Sequence, residues 1–157
     1  MPAVTKGPAL RAFWRLHRFL LRISNGRFFT RLGPGRQLLL TTRGRKSAEP
    51  RRVSLTYLAD GHRWVVIASN AGEDSHPAWW LNLLAEPSAA VAVGGKTIPV
   101  LARELEEPER SSFLSRFVSE IDASYAEYQR RTARRLPVVA LRPAAAASPE
   151  GGSHKEE

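Results

Sequence analysis

The chain has 157 residues, 43% of them hydrophobic, which suits one globular domain with an ordinary core rather than two. It has no cysteine, which excludes disulfides, thiolate nucleophiles and zinc–thiolate sites and fits a reducing cytosol. The formal net charge of +9, from 24 basic against 15 acidic residues, favours an anionic partner: a phosphate-bearing cofactor, an acidic lipid surface or nucleic acid.

In chain order, residues 1–8 read as a flexible start, 9–142 as one domain, and 143–157 as a disordered tail without apolar periodicity. No stretch approaches the ~18 apolar residues that span a bilayer, and no signal peptide precedes the first helix; a cytoplasmic protein is expected. Ala9 to Ile23 is an amphipathic helix with Arg11, Arg15, Arg18 and Arg22 in one stripe, opposite Phe13, Leu16, Leu20 and Ile23. Such a helix either packs on the core and solvates its arginines or lies on an anionic membrane as a peripheral contact.

Strands follow at Gln37–Thr42, Arg51–Leu58 and Arg63–Ser69, the last two joined by the hairpin signal Asp60-Gly61. His76-Pro77 opens a short helix, Pro77–Leu84. Ala89–Val93 and Thr97–Arg103 pair across Gly94-Gly95. Pro108–Ile121 is a helix and Ser124–Thr132 a polar segment with two tyrosines. Leu136–Leu141 is the last strand, with Pro137 marking a strand start or an edge. Tight turns between strands predict an α+β, mainly β protein: an antiparallel sheet curled into a small barrel with helices outside.

Three clusters carry chemistry. In Thr41–Ser47 a strand delivers Arg45, Lys46 and Ser47 to a turn, and Arg51 and Arg52 follow. Converging charge-assisted donors suit a phosphate, although the spacing is not that of a nucleotide P-loop. A solvated basic loop would look the same. In the second cluster, Ala68-Ser69-Asn70 leads to a helix start bearing Trp79, Trp80 and Asn82. One tryptophan can line a pocket while the other packs; equally, both are core and Asn82 is a surface residue. Third, Tyr125 and Tyr128 share a helical face, as substrate-side phenols or as packing tyrosines. No histidine pair has metal-ligand spacing, so no metal is expected, and no side chain stands out as a nucleophile. A cofactor must supply the chemistry if this is an enzyme.

The segments LLLTTRGRKSAEPRRVSLTYLADG, WVVIASNAGEDSHPAWWLNLLAEP and SYAEYQRRTARRLPVVALRP together resemble the deazaflavin-dependent nitroreductases, small split β-barrel proteins known mostly from actinobacteria. The resemblance spans residues 10–142. It implies an oxidoreductase that passes a hydride from reduced coenzyme F420 to a quinone, a nitroaromatic or another electron-poor small molecule; nucleic acid is not expected, because the strands read as aliphatic, without aromatics interleaved along a face. It also implies site roles. Arg45, Lys46, Ser47 and Arg51 would hold the phosphate. Arg52, Val53, Ser54, Leu55 and Thr56 would run along the cofactor, and Ile67, Ala68, Ser69 and Asn70 would lie by the ring. Ala78, Trp79, Trp80, Leu81 and Asn82 would close the site. Tyr125 would touch both cofactor and substrate, with Tyr128 and Ser69 on the substrate side. The chain departs from many relatives at Ala48 (glycine there) and often at Trp80 (tyrosine), and from some relatives at Asn70 (lysine) and Asp122 (tyrosine). A non-catalytic F420 carrier and an FMN-binding protein are the alternatives.

Overall fold

A computed structural model describes residues 35–144. The expected N-terminal helix and most of the tail lie outside the described residues. Six strands, β1 (Arg36–Arg43), β2 (Pro50–Asp60), β3 (Arg63–Ile67), β4 (Ser88–Val93), β5 (Lys96–Glu104) and β6 (Val138–Pro143), close into an antiparallel barrel in the order β1-β2-β3-β6-β5-β4. Among the described residues three α-helices accompany it: α1 (Ala78–Ala85), α2 (Glu109–Glu120) and α3 (Ser124–Arg131).

Period-two alternation divides the side chains. Leu38 and Leu40 of β1, Tyr57 of β2, Val66 of β3, Val91 of β4, Val100 of β5, and Val139 and Leu141 of β6 meet in the interior. Register follows from this: Leu40 faces Val53 on one side and Val91 on the other, so a one-residue slip would turn the set outward. The alternate residues of β3 and β6 are buried too. Val65, Ile67, Val138 and Ala140 form a second cluster beneath Phe113 and Phe117 of α2, with Leu105 and Leu136. Each fully buried aliphatic here contributes about 1.5–3 kcal/mol. Buried Arg110 pins α2 to its neighbours, donating to the Gln129 side chain at 3.0 Å and the Leu136 carbonyl at 3.1 Å.

Around β3 and β6 the observed ends have identifiable physical reasons. β3 stops at Ile67, not Ser69, because the carbonyls of Ala68 and Ser69 accept from a side chain, Arg134, instead of a neighbouring strand. Pro137 marks a strand start and not an edge: β6 lies between β3 and β5, and the Pro137 carbonyl accepts the Ala68 N–H at 2.9 Å. β6 runs to Pro143, and the Ala144 N–H still donates to Pro99 at 2.9 Å, so residues 143 and 144 belong to the barrel. The tyrosine-bearing polar segment is helix α3.

Candidate functional site

The β1–β2 connection is a compact basic turn. The Gly44 N–H donates to the Glu49 carbonyl and the Ala48 N–H to the Gly44 carbonyl, both at 2.8 Å. Gly44 is buried, and a Cβ there would sit 2.8 Å from Ser47 Oγ and 3.0 Å from the Glu49 carbonyl, so the tight path needs glycine. Ser47 Oγ accepts the Glu49 N–H at 3.2 Å and the Arg51 guanidinium at 3.4 Å.

The start of α1 faces this turn. Leu83 and the two tryptophans pack onto the interior cluster, the indoles edge to face at 6.5 Å. Asn82, on the same helix, is only 3% exposed, which makes it a buried polar residue and not a surface one. Its amide donates to Thr42 Oγ1 at 3.0 Å, and its carbonyl oxygen accepts the Arg45 backbone N–H at 3.2 Å and the Arg45 guanidinium at 3.1 Å.

Between turn and helix lies a cleft of about 420 Å³, lined by Gly44, Arg45, Lys46 and Ser47 of the turn, Arg51, Arg52 and Val53 of β2, and Ala78, Trp79 and Asn82 of α1. None of its four cations is ion-paired to a carboxylate among the described residues, although Arg63, Arg116 and Arg130 elsewhere are. Uncompensated cations converging on a concave surface beside an indole fit a large anionic ligand with a planar ring.

The remaining expected residues lie elsewhere. Leu55 and Ala68 pack in the barrel interior, and Trp80 is 4% exposed in that same core. Ile67 points to the opposite side of its strand, into the cluster under α2. Ser54 donates to Gln37 Oε1 at 3.2 Å on the outer face of β2, and Leu81 is half-buried on α1 without lining the cleft. Ser69 and Asn70 occupy the loop between β3 and α1; the Asn70 side chain donates to the Ser75 carbonyl at 3.0 Å. Tyr125 and Tyr128 pack edge to face at 5.6 Å on α3, Tyr125 also against Phe117 at 5.1 Å. Burial raises the Tyr125 phenol above the ordinary tyrosine value, and a hydrogen bond from Thr56 opposes that rise. Asp122 accepts the Ser124 N–H at 2.8 Å, and that backbone bond holds its carboxyl below the usual range.

Arg134, which the sequence reading passed over, organises the loop. It donates to the carbonyls of Ser69 at 2.8 Å, Ala68 at 3.2 Å and Glu73 at 2.8 Å, and meets His76 Nδ1 at 3.1 Å. The available signal was an arginine next to the last strand's entry, indistinguishable by pattern from its neighbours Arg131 and Arg135.

A six-stranded closed barrel with a basic cleft at one strand turn defines a small split-barrel protein of the flavin and deazaflavin type. The chain belongs to the F420H(2)-dependent quinone reductase family, whose model matches residues 13–143. It is 40% identical over 131 residues to the F420H(2)-dependent quinone reductase of Mycobacterium tuberculosis strain H37Rv, covering 81% of this chain and 87% of that one. A solved F420-H2 dependent reductase, FDR-A, superposes with a TM-score of 0.62 at 36% identity, covering 68% of this chain and 93% of the other. A second structure, described as a domain-swapped dimer, gives a TM-score of 0.64 at 32% identity over 82% of this chain and 97% of its own. The protein is an F420-dependent oxidoreductase, and reduced coenzyme F420 is its cofactor. Among the described residues, no helix is long and apolar enough to cross a membrane.

Proposed function

We propose that this chain passes a hydride from F420H2 to a quinone, and that nitroaromatic compounds are reduced as a side reaction. One observation carries the reading: four cations with no carboxylate partner among the described residues share a cleft with the Trp79 indole. Reduced deazaflavin, when bound, supplies the hydride. The chain's own residues bind and orient. Arg45, Lys46, Ser47 and Arg51 hold the phosphate, with Arg45 held in place by Asn82. Arg52 and Val53 flank the cofactor's path along β2, and Ala78 and Trp79 close the cleft from α1. Tyr125, Tyr128 and Ser69 serve the acceptor side, where a protonated phenol can donate a hydrogen bond to a quinone oxygen. The helix expected over residues 9–23, with its arginine stripe, would bring the site to an anionic bilayer where lipid-soluble quinones reside.

A titration with F420 and, in parallel, FMN tests the cofactor assignment, with tryptophan fluorescence as the readout. F420 quenches and FMN does not if the reading holds. Replacing Lys46 and Arg51 together with alanine raises the F420 Kd on the order of a hundredfold, by loss of charged hydrogen bonds. Unchanged affinity removes the phosphate site. F420 binding without menadione reduction makes the protein a carrier. Anionic liposomes that bind the full chain but not one lacking residues 1–24 support the membrane contact, and no binding by the full chain ends it.

A further inference from the structure

The loop from β3 to α1 is strained and held from outside. Asn70 and Ala71 adopt left-handed φ values of 46° and 52°, and Gly72 follows at 80°. L residues disfavour that region, so such a run persists only where the surroundings impose it. The surroundings here come from α3 and the chain just after it. Arg134 reaches four acceptors in the loop: the carbonyls of Ala68, Ser69 and Glu73, and His76 Nδ1. A guanidinium can only donate, so His76 Nδ1 is the acceptor and the ring proton sits on Nε2. Thr132 Oγ1 donates to Asp74 Oδ1 at 2.8 Å and accepts the Arg134 N–H at 3.2 Å, which sets the arginine's own backbone. The same loop leads at one end from Ser69 and at the other into α1, where Trp79 lines the cleft. In its middle Gly72 lies against the backbone of Tyr128. Arg134 thus fixes the loop that leads into the cleft helix, and that loop packs through Gly72 on the tyrosine helix.

We propose that Arg134 is a positioning residue for hydride transfer, whose fork holds the Ala68–His76 segment so that the α1 side of the cleft and the tyrosines of α3 face one substrate. This rests on the F420-reductase reading above. Lysine in its place would keep the charge but could not span four acceptors spread over the segment.

The test compares the wild-type protein with Arg134→Lys and Arg134→Ala, using three readouts. They are hydrogen exchange without cofactor, F420 affinity by tryptophan quenching, and kcat and KM with F420H2 and menadione. The expected result is faster exchange confined to residues 68–76 with the barrel strands still protected. Turnover falls on the order of ten- to a hundredfold, as a small misplacement of reacting groups produces. The F420 Kd changes less than kcat, and millimolar methylguanidinium restores part of the turnover of Arg134→Ala. Wild-type kcat in Arg134→Lys overturns the proposal, as does exchange that rises throughout the barrel, which would make Arg134 a general stability residue. Should the alanine variant not fold, the lysine variant decides by the same criteria. A wild-type protein inert towards F420H2 overturns the functional reading and this proposal with it. An active wild type with an unimpaired lysine variant overturns this proposal alone.

Discussion

Asn82 and Arg45 are joined twice, through the backbone N–H and the guanidinium of Arg45, while the other end of the Asn82 amide is committed to Thr42. The basic turn is therefore fastened to α1 through a buried carboxamide. In Asn82→Leu, Thr42 Oγ1 loses its donor inside the protein and Arg45 loses its anchor. Stability falls by about 1–3 kcal/mol, the cost of a buried polar group left unpaired. F420 affinity falls as well, because the freed arginine must be ordered on binding. Urea unfolding and fluorescence titration measure the two; a variant unchanged in both would reduce Asn82 to a space-filling residue.

Ala48 occupies a position with φ of 60°. The left-handed conformation costs an L residue roughly 1–2 kcal/mol, which glycine avoids while losing about 0.4–1 kcal/mol through its freer unfolded chain. Ala48→Gly is expected to stabilise the protein by about 0.5–1 kcal/mol, since the Ala48 N–H bond to Gly44 needs no side chain. A rise in the urea midpoint without a change in slope is the expected reading. A lower midpoint would mean that the turn is not strained at this residue.

The barrel was legible because period two is a strong signal. Val53, Leu55 and Tyr57 announce a strand with one inward face, and Asp60-Gly61 and Gly94-Gly95 announce the turns. The cluster under α2 was less legible, because β3 and β6 are buried on both faces and a continuous apolar run does not say which face meets which partner. That is why Ile67, next in sequence to Ala68, could be assigned to a ring wall from which its strand turns it away. The basic half of the cleft was readable as a local run, Arg45 to Arg52. Asn82 and Arg134 were not readable in their actual roles, because their partners lie 37–40 and 58–66 residues away in sequence, and no local pattern encodes such distant hydrogen bonds.

At Gly72, a Cβ would meet the Tyr128 carbonyl oxygen at 2.9 Å and Tyr128 Cα at 3.0 Å, both backbone atoms that cannot swing aside, and φ is +80°. Gly72→Ala should cost about 2–4 kcal/mol from the combined conformational and steric penalties. The loop must then retreat from α3, so kcat should fall more than F420 affinity. An alanine variant with unaltered thermal stability would show that loop and helix are not in firm contact.

Tyr125 is held as a phenol by burial, with its folded-state value raised above that of the unfolded chain. The sign follows from proton binding. Below the ordinary tyrosine value both states keep the proton, and the contribution of the buried phenol is fully present. As pH rises between the two values the unfolded chain binds fewer protons, so stability declines until the folded value is passed. Unfolding free energy should therefore fall on the alkaline side in the wild type and fall less steeply in Tyr125→Phe. Ultraviolet phenolate titration of the folded protein should show one tyrosine ionising later than ordinary tyrosine and absent from the variant. In the proposed reaction the same substitution leaves F420 affinity in place and slows turnover, because the hydrogen-bond donor to the acceptor is lost. If turnover stays equal while the alkaline profile flattens, Tyr125 serves packing alone and the donor must be sought at Tyr128 or Ser69.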